Sequence, residues 1–187
     1  MFIQTERTPN PSTLKFLPGR AVMAEGTADF RNATEAQRSP LADRLFRIEE
    51  VKGVFFGADF ITVTKAEDAD WQMIKPIVLG VVMEHFVSNQ PIMLGSDGAE
   101  DEASTPEVAP EDAEIVSQIK ELLETRVRPA VAQDGGDIIF RGFQKGVVML
   151  HMQGSCAGCP SSTATLKMGI ENMLKHYIPE VIEVRAV

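Results

Sequence analysis

Apolar positions along this chain recur at two spacings, every second residue in some stretches and every third or fourth in others. The switches between the two spacings predict its elements. "TLKFLPG" (Thr13–Gly19) is a short strand closed by a Pro-Gly turn. Ser39 followed by Pro40 has the form of an N-cap with proline at the first helical position. Leu41, Leu45, Phe46 and Ile48 then carry an apolar helical stripe to about Val51. "GVFFGADFITVTK" (Gly53–Lys65) predicts two β-runs joined by a turn at Gly57-Ala58-Asp59. Asp70 caps a helix predicted over Trp71 to about Val87, with Trp71, Ile74, Val78, Val81, Val82 and Phe86 on or near its inner side. His85 lies in that helix among apolar neighbours, where a lone histidine is a packing or surface residue.

The same alternation of periods returns after residue 112. Ile115, Val116, Ile119, Leu122, Leu123 and Val127 predict a helix from about Ala113 to Arg128, broken at Pro129. "QDGGD" (Gln133–Asp137) is a turn signal. Strands follow near Ile138–Phe143 and Val147–Met152, linked through Gln144-Lys145-Gly146. Pro160 and Ser161 open a helix carrying Leu166, Ile170, Met173, Leu174 and Tyr177, stopped by Pro179, and "VIEVRAV" closes the chain as a strand. The order is α-β-β-α-β.

Charge divides the chain into parts. Residues 96–112, "SDGAEDEASTPEVAPED", hold seven acids and no base. Residues 1–95 hold twelve acids and ten bases, and 113–187 eight of each, so most of the net −9 sits in the middle segment. Its low hydrophobicity, Pro106, Pro110 and self-repelling carboxylates predict an acidic flexible linker. The expectation is an α+β protein of two small α+β domains, 1–95 and 113–187, joined by 96–112.

Composition then narrows the function. A hydrophobic fraction of 44% with 24% charged residues is ordinary for a globular protein. The net −9 argues against a nucleic-acid binder and against docking on an anionic membrane surface. The opening "MFIQTERTPNPSTLKF" has neither the form of a secretion signal nor that of an Arg-rich transit sequence. Together with two cysteines at CxxC spacing, this predicts a cytoplasmic protein in a reducing compartment.

Those cysteines, Cys156 and Cys159 in "MQGSCAGCPSSTATLKMG", are the chain's candidate chemistry. A two-residue gap lets both thiolates face one centre, as in zinc and iron–sulfur sites. Ala157, Gly158 and Gly154 are small enough for backbone N–H groups and a bulky cluster to approach. The pair precedes a predicted helix, whose N-terminal field favours negative charge and would lower the thiol pKa. Cluster ligation normally takes four cysteines, and this chain has two. His151 and His176 are poor substitutes, the first on the preceding strand and the second at the far end of the following helix. If the site holds a [4Fe–4S] cube, two copies of Cys156 and Cys159 must meet across a homodimer, leaving the cube at a seam from which it is easily released. A CxxC thiol-disulfide oxidoreductase, a zinc-bridged adaptor and an inert thiol pair are the competing readings of the same residues. The α-β-β-α-β order argues against the oxidoreductase, since it lacks the βαβ start of a thioredoxin.

"VRPAVAQDGGDIIF", the hairpin and "GSCAGCPSSTATLKMGIENML" resemble the NifU C-terminal-type domain of Nfu iron–sulfur carrier proteins. "IQTERTPNPSTLKFLPG" and the region Gly53–Val87 are similar to the companion Nfu N-terminal domain. The resemblance implies a non-enzymatic carrier. It would receive a [4Fe–4S] cluster from upstream assembly proteins, hold it through Cys156 and Cys159 of two chains, and pass it to apo iron–sulfur target proteins. It also implies that the N-terminal domain contacts partners. No nucleic acid or membrane enters this picture.

Overall fold

The computed structural model describes residues 2–94, 109–156 and 160–187, the side chains of 160–162 excepted. The chain divides into two compact units, Met1–Glu100 and Asp101–Val187. The division falls inside the acidic segment, most of which lies outside the described residues. Only its end is described, where Pro110–Asp112 forms a 3₁₀ turn that leads into the second unit.

The first unit is a five-stranded antiparallel sheet in the order β1-β2-β5-β4-β3 with helices packed on it. Its strands are β1 (Gln4–Arg7), β2 (Thr13–Leu17), β3 (Ala28–Phe30), β4 (Val51–Phe56) and β5 (Ile61–Lys65). Its helices are α1 (Ala33–Ala36), α2 (Pro40–Phe46) and α3 (Trp71–Val87). Each helix starts on a side-chain cap that satisfies an otherwise unpaired N–H: Asn32 accepts from Glu35 N–H, Ser39 from Ala42 N–H, and Asp70 from Gln72 N–H. The helix from Pro40 ends at Phe46, short of the expected Val51, because Val51 already begins β4 and pairs with Lys65. Ile74, Val78, Val82, His85 and Phe86 form the buried side of α3, while Trp71 and Val81 are half-buried. The packing reading of His85 holds: it is fully buried, with Nε2 3.0 Å from the Pro91 carbonyl oxygen.

The second unit carries the predicted strand order on a three-stranded sheet. β6 (Gly136–Gln144) and β7 (Val147–Gly154) form an antiparallel hairpin, with a bulge between Phe140 and Gly142. β8 (Glu183–Ala186) runs parallel to β7, reached through α6 (Pro160–Tyr177). The first helix of this unit departs from expectation. α4 (Ala113–Leu122) passes through a π-helical turn, Leu123–Val127, into α5 (Arg128–Gln133), so Pro129 lies near the start of a continuing helix. A proline has no N–H to return to the preceding turn, and a π-turn placed just before it changes the hydrogen-bond register there. The strands are longer than expected because the Gly-rich segment is paired: Gly136 opposes Gly154, and only Asp134 and Gly135 remain as the turn. One apolar cluster fills this unit, including Val116, Ile119, Leu123, Ile138, Leu150 and Leu174.

Candidate functional site

The cysteine loop follows β7 and ends where α6 begins at Pro160. Gly154, at φ +65°, turns the chain out of the strand, a conformation that a Cβ would disfavour. Ser155 then binds the segment ahead of β6 twice. Its N–H donates to the Gly135 carbonyl at 3.2 Å, and its hydroxyl donates to the Asp134 carbonyl. Thr163, in the first turn of α6, donates its hydroxyl to the Cys156 carbonyl at 2.8 Å. Strand, Gly-rich turn and helix thus grip the first half of the loop. Cys159 and the two residues before it lie outside the described residues.

Cys156 is 6% exposed and belongs to the apolar cluster of the second unit. Its burial pushes the thiol up to about 11; Ser155 opposes that shift, and the carboxylates of Asp134 and Asp137 add to it. Burial thus acts on this thiol against the lowering expected of a helix N-terminus. In the single chain the Cys156 side chain is turned into the core of the second unit. Among the described residues, no group of three or more His, Cys, Asp or Glu could hold a metal ion. His151 engages the Val187 carbonyl at 2.9 Å through Nδ1, and His176 stacks edge-on against Tyr177 at the end of α6.

Asp137 is a member of the site that reading the sequence left in a turn. It is 4% exposed on β6 and receives a paired contact from Arg128, Nε to Oδ1 and Nη2 to Oδ2, both at 2.8 Å. Asp137 and Glu124 hold the Arg128 guanidinium firmly charged. The pair ties the start of α5 to the start of β6, directly behind the loop that carries Cys156. The two flanking acids of Asp-Gly-Gly-Asp were the available signal, but their roles differ: Asp134 offers a backbone carbonyl and Asp137 a buried carboxylate.

A two-unit α+β chain with a cysteine loop between a strand and a helix defines the class, and comparison with known proteins agrees. Residues 3–89 match the model of the scaffold protein Nfu/NifU N-terminal domain, and residues 119–185 match the NifU-like domain. The chain is 57% identical over 188 residues to a Drosophila sechellia protein named NFU1 iron-sulfur cluster scaffold homolog, mitochondrial. That match covers 100% of this chain and 65% of the relative. It is 54% identical over 182 residues to the human protein of the same name, covering 97% of this chain and 70% of the relative. It is 54% identical over 183 residues to NifU-like protein 4, mitochondrial, of Arabidopsis thaliana, covering 97% and 64%.

The chain belongs to the Nfu/NifU family. It spans about 65% of the length of the Drosophila relatives it matches. The expectation of a cytoplasmic protein is overturned, because relatives 54–57% identical are named mitochondrial. That expectation rested on the absence of a leader, and nothing follows from such an absence in a chain shorter than its relatives.

Proposed function

We propose that this chain is an iron–sulfur cluster carrier whose cargo is a [4Fe–4S] cluster held between two subunits by Cys156 and Cys159 of each. The observation that carries the reading is the thiol count. The whole chain has two cysteines, both between β7 and α6 in the sequence, and a cube needs about four thiolates. A homodimer supplies them, and the N-terminal end of an 18-residue helix favours an anionic, thiolate-bound cargo. The names of the relatives point the same way.

Transfer is ligand exchange. Each thiolate of an apo-protein forms one Fe–S bond as the bond to Cys156 or Cys159 breaks, and no oxidant or reductant is consumed. When the last bond has moved, nothing of the cargo joins the two subunits. Upstream assembly proteins supply the cluster and apo iron–sulfur proteins receive it. The acidic segment 96–112 serves as the tether that lets the first unit hold a client while the second delivers.

Thiol-disulfide exchange fits the site less well. β7, α6 and β8 do form a parallel β-α-β crossover with the CxxC at its strand–helix junction. That crossover nevertheless follows an antiparallel hairpin, β6 with β7, and not the βαβ start of a thioredoxin.

The test is transfer. The reconstituted chain is mixed with an apo [4Fe–4S] enzyme in the presence of a chelator that captures free iron, and recovery of that enzyme's activity is followed. Cys156→Ser and Cys159→Ser should each abolish loading and transfer. Cys156→Ser should also destabilise the second unit by about 1–2 kcal/mol, since it places a hydroxyl in a buried apolar setting. Full transfer by either variant would contradict the assignment of ligands.

A further inference from the structure

Gly136 and Cys156 approach each other closely in the second unit. A Cβ built on Gly136 would lie 2.4 Å from the Cys156 sulfur, 2.9 Å from the Gln153 carbonyl oxygen and 3.1 Å from the Cys156 nitrogen. A side chain at this position would force the sulfur and the Gln153 carbonyl beside it to shift, so glycine leaves room for both. The neighbouring Ser155 and Thr163 hydrogen bonds hold the loop down over this point. Cys156 is consequently 6% exposed. A ligand shared with a second chain must be reached from outside its own chain, and a sulfur in this position is not.

We propose that Gly136 is a positioning residue: the niche left by its missing side chain stows the Cys156 sulfur in the cluster-free chain, and loading begins when the sulfur leaves that niche. The inference rests on the reading of Cys156 as a cluster ligand. It adds an opening step to loading and assigns Gly136, the first residue of β6, a chemical role. While stowed, the thiol is sheltered from alkylation and from the oxidation that attacks exposed thiols. On opening, the loop gives up the contacts that Ser155 and Thr163 make.

The experiment is site-resolved alkylation of the full apo chain by iodoacetamide, read by peptide mass spectrometry in native buffer and in urea. In the native chain Cys156 should react at least about tenfold more slowly than in urea, because reaction waits on local opening. In Gly136→Ala, with native circular dichroism retained, the Cys156 rate should rise toward its urea value. An unchanged Cys156 rate in the folded variant overturns the proposal, and so does a native Cys156 that already reacts at its urea rate.

If Gly136→Ala does not fold, the same substitution is made in the Cys156→Ala chain, where the sulfur is gone. A folded double variant supports the sulfur niche. Equal loss of structure in both backgrounds overturns it, placing the requirement on the backbone contacts. The two readings fail separately. Protection of Cys156 without cluster assembly from iron and sulfide leaves the niche standing and removes the carrier reading, whereas assembly on a chain with a freely reactive Cys156 does the reverse.

Discussion

His85 shows how one buried group sets a pH dependence far from the cysteines. It is fully buried on α3, Nε2 faces the Pro91 carbonyl oxygen, and Nδ1 has no hydrogen-bond partner among the described residues. The neutral tautomer with its proton on Nε2 fits this setting; a second proton on Nδ1 would have nothing to accept it. Burial accordingly lowers the pKa of His85, with Arg44 adding to the effect and the backbone contacts opposing it. The unfolded chain keeps the ordinary value of about 6.5, so below that pH it binds a proton that the folded unit resists. The stability tied to His85 is therefore complete above about pH 6.5 and is lost as the pH falls toward the lowered folded value. The chain's one tryptophan, Trp71, lies in the same unit, so its emission in urea titrations at pH 7.5 and 5 reports the loss. His85→Gln should weaken that dependence while keeping a donor toward Pro91. An identical dependence in the variant would rule out His85 as its source.

At the scale of elements, the junction of α5 and β6 is the support for the cysteine loop. Arg128 and Asp137 join the two ends, and Asp137 also accepts from the Ile138 N–H at 2.8 Å. Asp137→Asn leaves the guanidinium facing a neutral group, and should cost the second unit about 2–3 kcal/mol; the partial exposure of Arg128 keeps this at the low end for a broken buried pair. Urea unfolding followed by amide exchange should show the second unit's midpoint lowered, with that of Trp71 emission unchanged. Equal shifts of both would contradict two separately stabilised units.

Much of this architecture was legible because strong periodicity survives wherever one face is buried. α3 spans the expected Trp71–Val87, and the hairpins at β4–β5 and β6–β7 carry clear turn residues. β1 was not legible: its sequence, Gln-Thr-Glu-Arg, lies at an edge of the sheet with an exposed or half-buried pattern and has no apolar alternation to read. β3 and α1 are too short, at three and four residues, to show a period. Pro129 misled because a helix-breaking residue is tolerated beside a π-turn. In the site, residue type and spacing pointed to Cys156 and Cys159. The contact between Gly136 and Cys156 joins residues twenty positions apart, and nothing local announces it.

At the scale of the whole molecule, the proposed carrier role makes one structural demand of a chain with one pair of thiols: cargo and dimer should appear together. No helix among the described residues is long and apolar enough to cross a membrane. The most direct measurement is anaerobic reconstitution of the full chain with iron and sulfide, read together by visible spectrum, iron content and oligomeric mass. The account expects a broad absorbance in the visible-blue, roughly two irons per chain, and cluster confined to a dimer that disappears when the iron is removed. A colourless protein that holds one zinc per dimer would contradict it, as would a cluster carried by the monomer.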